Sequence, residues 1–467
     1  MNTSTRTDAQ PTVQVCHIIK GEVQNGADVT FTGPGGVHFT APALDLANLT
    51  WSRQQEGPAF NTPISEIIDL LVATGECLAK DADGVLDEAY ERMLAASPLD
   101  SGVLRRAYDD LPRLFDRTVL NFIVEGEIGG TDVLDGWREV LLPTGRNARF
   151  RAFPARLVQI LAGNAPGVAA ITVIRGALSK GVNLLKLPSN DLFTATALLR
   201  AMAAVDPTHP VVKSFSAVYW RGGDATVEKL LFSPQFFDKL VAWGGEAALR
   251  SAKDYIGPGF ELVAFDPKTS ISMIGVEAFS SDEVTAEVAA LAATDATGYN
   301  QSACTSSRFQ YVEGTLEQID HYCELLQAQL GVERHTASVL SAPVPPDLRE
   351  EIEALRSLAP EFRVWGDFSG RGLVVRSEEP VDFYPDGKIV NVVPVPSLRE
   401  AVGFTNVATQ TVGVYPTSRK RELRNHLASA GAQRVVSLGQ AMAESPGLPH
   451  DGFMPLHRMV RWVNDED

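Results

Sequence analysis

The chain's 467 residues are too many for one ordinary core and imply two or three lobes. Lys and Arg number 41 against 58 Asp and Glu; the net charge of -17 excludes nucleic acid and anionic membrane surface as general partners, while a local basic pocket for an anionic cofactor stays compatible with it. No uncharged apolar run of about 18 residues occurs, and "MNTSTRTDAQ" has no basic stretch leading into an apolar one, so a cytoplasmic protein without a membrane span is expected.

Up to about residue 60, short strand-like runs alternate with turn signals such as "GPGG" at 33–36. Thr62 and Pro63 then form a cap and first-turn pair, and Ile64, Ile67, Ile68 and Leu71 recur at helical spacing, so a helix starts here and more helix follows to about residue 120. Between about 150 and 290 the pattern becomes apolar runs of strand length separated by helical stretches. These are "VNLLKL" (182–187), the helical 193–204, "SAVYW" (216–220), a helical region from Val227, "KLVAW" (239–243) and "ELVAF" (261–265). Strands without polar alternation, separated by helices, predict a parallel sheet covered on both faces, with ligands at the carboxyl ends of its strands. A second series follows: "RFQYVEG" as a strand, a helix over 316–330, a Pro-rich turn at 342–347 and "KIVNVVPV" (388–395) as a strand. The fold class is therefore α/β, with two lobes built on parallel sheets.

Four segments have the composition of a reactive site. "VNLLKLPSND" ends a strand in Lys186 and opens a helix after Ser189, where a lysine can bind a ribose or phosphate or simply face solvent. "AWGGEAA" places Gly244 and Gly245 where backbone could approach a ligand, or where a tight turn needs them. "ILAGNAPG" carries Asn164, either turn chemistry or an oxyanion donor. "YNQSACTSSR" sets Cys304 among small polar residues, unlike Cys16, Cys77 and Cys323, which sit in apolar or helical patterns. Such a loop suits an accessible nucleophilic thiolate, and inert packing is the alternative. No CxxC pair and no Cys/His cluster points to a disulfide framework or a metal. GxGxxG is absent too.

In this order the segments resemble the aldehyde dehydrogenase superfamily, and within it the LuxC-type fatty acyl-CoA reductases. "GNAPG" stands at the asparagine-proline loop, "LLKLPSNDLFTA" at the cofactor lysine, "AWGGEAA" at the glycine turn and "NQSACTSSR" at the nucleophile. "DPTHP" (206–210), "YWRGGD" (219–224), "TQTVGVYP" (409–416) and "LPHDGFMPLHRMVRW" (448–462) are more specific to the reductase branch. The resemblance implies a Rossmann-like nicotinamide lobe over 146–290, a catalytic lobe over 291–415, an amino-terminal segment (1–145) packed on the cofactor lobe, and a carboxyl-terminal segment (416–467) that returns to the cleft and an oligomer interface. It also implies catalysis by Cys304 and Asn164, with Lys186, Ser189, Gly244 and Gly245 around the cofactor.

One departure is informative. Oxidising members carry a water-activating glutamate in Glu-Leu-Gly-Gly-Lys, whereas the matching "AFDPK" has Ala264 there and Lys268 at the lysine. Glu261 replaces it if the register is three residues off, and His450 is a further candidate at the site's mouth. The implied reaction is reduction of a fatty acyl-CoA to the aldehyde through a Cys304 acyl-enzyme. Ser189, neutral where NAD-selective relatives often carry an acid, favours NADPH over NADH. Acyl-activating or acyl-transfer proteins are expected partners, and a homodimer or homotetramer the expected assembly. Aldehyde oxidation, a short-chain or semialdehyde CoA-acylating reaction, and a non-enzymatic scaffold are the alternatives.

Overall fold

Apolar runs lacking polar alternation become strands buried on both faces, as expected where helices cover each side of a sheet. The computed structural model describes residues 13–33 and 36–466, so Pro34 and Gly35 of the "GPGG" turn lie outside it. Val182–Lys186 and Phe215–Val218 are buried almost throughout, and each Val or Leu they sequester contributes about 1.5–3 kcal/mol. The first sheet runs in the order Glu261–Phe265, Lys239–Trp243, Arg156–Ile160, Val182–Lys186, Phe215–Val218, His17–Ile19 and Glu22–Gln24. Its first five strands are parallel, and the amino-terminal hairpin closes the edge antiparallel. Strand order reverses between Arg156–Ile160 and Lys239–Trp243, the position at which open α/β sheets form their ligand crevice.

Helices Ile64–Lys80, Val85–Met93, Ser101–Asp110 and Arg117–Ile128 share one apolar core with Pro166–Leu178 and Thr194–Val205, which cover the first sheet. Asp100 caps the third of these, accepting from the Gly102 and Val103 amides.

The second sheet runs Arg363–Trp365, Leu373–Arg376, Ile389–Val395, Ser307–Glu313, Thr269–Ile274, Thr409–Tyr415 and Arg434–Ser437, parallel except for its first pair. Helix Leu316–Leu330 packs on it behind a capping box formed by Thr315 and Gln318. Sheet membership therefore divides the lobes at 266–268, ahead of the expected division at 290/291. Thr269–Ile274 directly follows a first-sheet strand in the chain but is hydrogen-bonded between two strands of the second sheet. Strand Arg434–Ser437 belongs to that sheet as well, and helix Thr417–Ala430 leads into it, although both fall after residue 415. Finally, Asn147–Pro154 pairs on one side with Arg138–Leu141 and on the other with Val460–Glu466, forming a three-stranded antiparallel arm.

Candidate active site

The crevice is bounded by the loops at the carboxyl ends of the first-sheet strands. After Arg156–Ile160 the chain passes through Gly163 and Asn164 into helix Pro166–Leu178, whose first-turn proline needs no amide partner. Only a hydrogen fits at Gly163, because a Cβ would stand 2.2 Å from Asn190 Oδ1. The Asn164 amide reaches across to the second lobe and donates to the Ser302 carbonyl at 3.2 Å. Lys186 ends the next strand, its ammonium over the rings of Tyr219 (5.7 Å) and Trp220 (5.5 Å). Burial lowers its pKa against the opposing influence of the Glu228 carboxylate. Ser189 follows in the same loop. Gly244 and Gly245 leave Lys239–Trp243 and open helix Glu246–Lys253, and a Cβ on Gly245 would meet nothing within 4 Å. These loops leave an open backbone ledge, a cation and a helix start on one side of the sheet, which fits a dinucleotide.

The cysteine loop is held by the small polar residues that set it apart in the sequence. Tyr299, Asn300 and Gln301 all adopt positive φ, a strained run for side-chain-bearing residues that persists only where the surroundings enforce it. The enforcing bonds are specific. Asn300 exchanges hydrogen bonds with Ser338, Gln301 with the backbone of Ile389, and Arg308 donates to the Gln301 carbonyl at 2.5 Å. Ser306 Oγ donates to the Gly298 carbonyl, and Ser270 Oγ donates to the Cys304 carbonyl at 2.8 Å. Cys304 is exposed as a residue, yet the protein packed around its thiol is the largest influence on a pKa pushed up to about 11. The Glu444 and Asp451 charges add to the rise, while a hydrogen bond from Gln410 opposes it. The resting group is therefore a thiol at neutral pH.

Residues 438–459 form a strap beside this loop, tied down at both ends by buried carboxylates. Asp295 accepts from the Gly439 and Ala441 amides, both at 2.8 Å, and Arg434 donates to the carbonyls of Gln440, Ala441 and Ala443. Glu127, bidentate with Arg175, accepts from the Gly447 and Leu456 amides. Between these anchors Met442 Sδ accepts from Thr305 Oγ1 at 3.2 Å, one residue from the cysteine. Further along, the His450 ring lies 5.4 Å from Trp243 and 5.5 Å from Phe265, two rings stacked 3.6 Å apart. Glu444 is 3.9 Å from His450 Nδ1, and Asp451 pairs with Lys268 at 3.3 Å with both side chains buried.

The geometry thus brings Asn164 to the cysteine loop and His450 to the aromatic end of the crevice. Glu261 is not brought there. It sits at the amino end of its strand, opposite the crevice, paired with Lys239 at 2.9 Å and with Arg458. A cavity lined by Arg53, Arg156, Lys180 and Arg461 also opens at the amino ends of the strands, away from Cys304. Gln410, Asp451 and Glu444 carry no individual signal in the sequence, although the first two lie inside "TQTVGVYP" and "LPHDGFMPLHRMVRW". A glutamine among the threonines, valines and glycine of 409–414 is the available signal for the first.

Comparison with known proteins agrees with this architecture. A benzaldehyde dehydrogenase from Corynebacterium glutamicum, described as NAD-dependent, superposes with a TM-score of 0.72 at 14% identity, covering 97% of each chain. An NADP-dependent glyceraldehyde-3-phosphate dehydrogenase from Bacillus halodurans, solved with NADP, gives 0.68 at 14% identity, covering 97% of this chain and 99% of its own. These likenesses establish the aldehyde dehydrogenase fold. Among curated relatives, long-chain acyl-protein thioester reductases from Photorhabdus luminescens and Aliivibrio fischeri are 32% and 31% identical, covering 74% and 76% of this chain and 70% and 72% of theirs. The family described as acyl-CoA reductase (LuxC) matches residues 59–462. The five parallel strands of the first sheet, the whole second sheet, the cysteine loop and the strap fall within that match, and the chain belongs to the LuxC acyl-CoA reductase family.

Proposed function

We propose that the protein reduces a long-chain acyl thioester to the aldehyde, using NADPH, through a thioester formed on Cys304. The acyl group arrives on a protein, as the names of its relatives say of those enzymes, and acyl-CoA is the second donor because the family description names it. The observation that carries the reading is an exposed cysteine on a strained, fully braced loop that meets the Asn164 amide, with Ala264 in place of a water-activating carboxylate.

The work of the chain's own residues follows from their chemistry. Cys304 loses its proton and attacks the thioester carbon. The carrier's sulfur leaves as thiolate, and the acyl group stays on Cys304. Asn164, released from the Ser302 carbonyl, donates with the Cys304 amide to the oxyanion that develops. His450 sits between Glu444 and Asp451 and serves as proton carrier at the mouth. Lys186, Ser189, Gly244 and Gly245 hold the dinucleotide, and a reduced nicotinamide bound there supplies the hydride. Cys304 departs as thiolate when the aldehyde is released. Ser189 leaves room for a 2′-phosphate without charge repulsion, which supports NADPH.

Intact-protein mass spectrometry after exposure to acyl-protein and acyl-CoA donors, without cofactor, tests the reading. Acyl adducts that form on the parent and vanish in Cys304→Ala are expected. Aldehyde production by Cys304→Ala would overturn it. A second reading, aldehyde oxidation, is favoured by Glu444, a half-exposed carboxylate whose charge reaches the thiol. Acid formation that disappears in Glu444→Gln would establish that reading in place of the first. Homo-oligomers would form through the three-stranded arm, where Leu141 is 72% exposed.

A further inference from the structure

Lys388 stands just before strand Ile389–Val395, is 0% exposed, and has no carboxylate partner among the described residues. Its φ is +65°, the second positive value in a row after Gly387 at +71°. A side chain on left-handed backbone and an ammonium in the interior are both costly, and a methionine of similar length would fill the space without the second cost. Burial pushes its pKa down to about 8, with Arg334 adding repulsion and Asp100 opposing the fall, so the group is an ammonium at neutral pH. A residue that carries both costs is kept for what it binds.

What it binds is a loop. Lys388 Nζ donates to the Ser338 carbonyl and, at 3.4 Å, to that of Val339. Ser338 then commits its remaining polar atoms. Its amide donates to Asn300 Oδ1 at 3.0 Å, and its hydroxyl accepts from Asn300 Nδ2 at 2.8 Å while donating to the Leu340 carbonyl. Asn300 is the middle one of the three residues with positive φ ahead of Cys304. Its neighbour Gln301 is bonded through its side chain to both backbone groups of Ile389, the residue after Lys388. The start of one buried strand thus braces two of the three strained residues, Gln301 directly and Asn300 through Ser338. The same loop is held from the other lobe. Arg106, on helix Ser101–Asp110, donates to the His335 carbonyl at 2.6 Å and the Arg334 carbonyl at 3.1 Å and pairs with Glu333 at 3.0 Å, while the His335 ring meets Asp110 at 2.5 Å.

Building on the assignment of Cys304 as nucleophile, we propose that Lys388 is a positioning residue for Cys304, tying Ser338 to the second sheet so that Ser338 holds Asn300 in its strained conformation, with Arg106 securing the far end of the loop from the first lobe. Strain of this kind persists only while the surroundings over-determine it, and the Ser338–Asn300 pair is the part of the bracing that reaches across two loops. A lysine suits the task. Two neighbouring carbonyls need a donor with more than one hydrogen, and an ammonium offers three without presenting an acceptor that would repel them.

The test is hydrogen exchange by mass spectrometry on the full-length protein without substrate, read over residues 298–306 and, as reference, over strand Val182–Lys186. In Lys388→Met the amides of 298–306 are expected to exchange roughly tenfold faster or more, the scale of a lost hydrogen bond to a charged group, while the reference strand keeps the parent's protection. Arg106→Gln, at a partly exposed site, should move the same amides in the same direction by a smaller factor. In the Asn300→Ala background Lys388→Met should add nothing over 298–306, because the lysine reaches that loop only through Ser338 and Asn300; a merely structural lysine would add its full effect. In thioester reduction, kcat of Lys388→Met should fall about tenfold with KM little changed. Parental exchange over 298–306 in Lys388→Met or Arg106→Gln, additive effects in the double variant, a loss confined to KM, or equal loss of protection in the reference strand overturns the proposal. Exchange reads the loop whether or not Cys304 is the nucleophile, whereas aldehyde formed by Cys304→Ala would remove the catalytic reading alone.

Discussion

Replacing Glu127 with alanine tests whether the strap depends on its buried anchor. The carboxylate is 1% exposed and carries four interactions: two donors of Arg175, the nearer at 2.7 Å, the Leu456 amide at 2.7 Å and the Gly447 amide at 3.3 Å. Breaking a buried ion pair by removing one partner costs about 3–5 kcal/mol, and a buried amide left without an acceptor adds roughly 1–3 kcal/mol. Because these share one carboxylate, a combined loss of about 5 kcal/mol is the reasonable figure. With about 2.1 cal/mol/K of unfolding entropy per residue, 467 residues give roughly 1 kcal/mol/K, so Glu127→Ala should melt about 5 °C lower. Glu127→Gln keeps one acceptor oxygen and should fall between variant and parent. Calorimetry supplies the melting temperature. Hydrogen exchange by mass spectrometry then shows whether the Gly447 and Leu456 amides lose protection first, as they must if the strap opens ahead of the lobes. A variant that melts within a degree of the parent and keeps both amides protected would refute the reasoning.

Asn164→Ala should lower kcat by roughly a hundredfold or more with KM little changed, because its amide would act on the developing oxyanion; a selective rise in KM would instead mark it as a substrate contact. Ser189→Asp should shift the ratio of kcat/KM for NADPH over NADH at least about tenfold toward NADH by placing a charge near the 2′-position, and an unchanged ratio would remove Ser189 from the cofactor site. Asp295 is pushed up to about 6 from 3.8, mainly by burial. The folded state therefore holds its proton more tightly than the unfolded state: this group's contribution improves as pH falls through 6, levels off below 3.8, and costs up to about 3 kcal/mol above 6. The melting temperature of Asp295→Asn should accordingly change less between pH 7 and pH 5 than the parent's, and equal changes in the two would contradict this.

Strands Lys239–Trp243 and Glu261–Phe265 and helix Leu316–Leu330 have the bounds expected from sequence, because burial on both faces and capping chemistry are written locally. Membership of a sheet is not local. Thr269–Ile274 lies a few residues past Phe265, and nothing in "TSISMI" says that it pairs with strands nearly 40 and 140 residues further on. The same limit governs the site. Glu261 is close to Lys268 in sequence, but an extended strand carries its two ends to opposite edges of the sheet, where Lys239 and Arg458 occupy the carboxylate. Asp451 reaches Lys268 from far along the chain, and Gln410 meets the same carboxylate from a strand that lies between them in sequence. The polar setting of Cys304 was legible as a loop. Its strain and bracing depend on Ser338, Ile389 and Arg308, which packing alone brings together.

The strap also sets an order of events in the cell. A ribosome makes both lobes, the cysteine loop and the helix carrying Glu127 before it reaches residues 438–459, and amino-terminal regions fold first as the chain emerges. Until then Met442 has not reached Thr305, Asp451 has not reached Gln410, and His450 is absent from the crevice. The contacts that join the strap to both lobes therefore form late, when residues 438–459 dock onto Asp295 and Glu127.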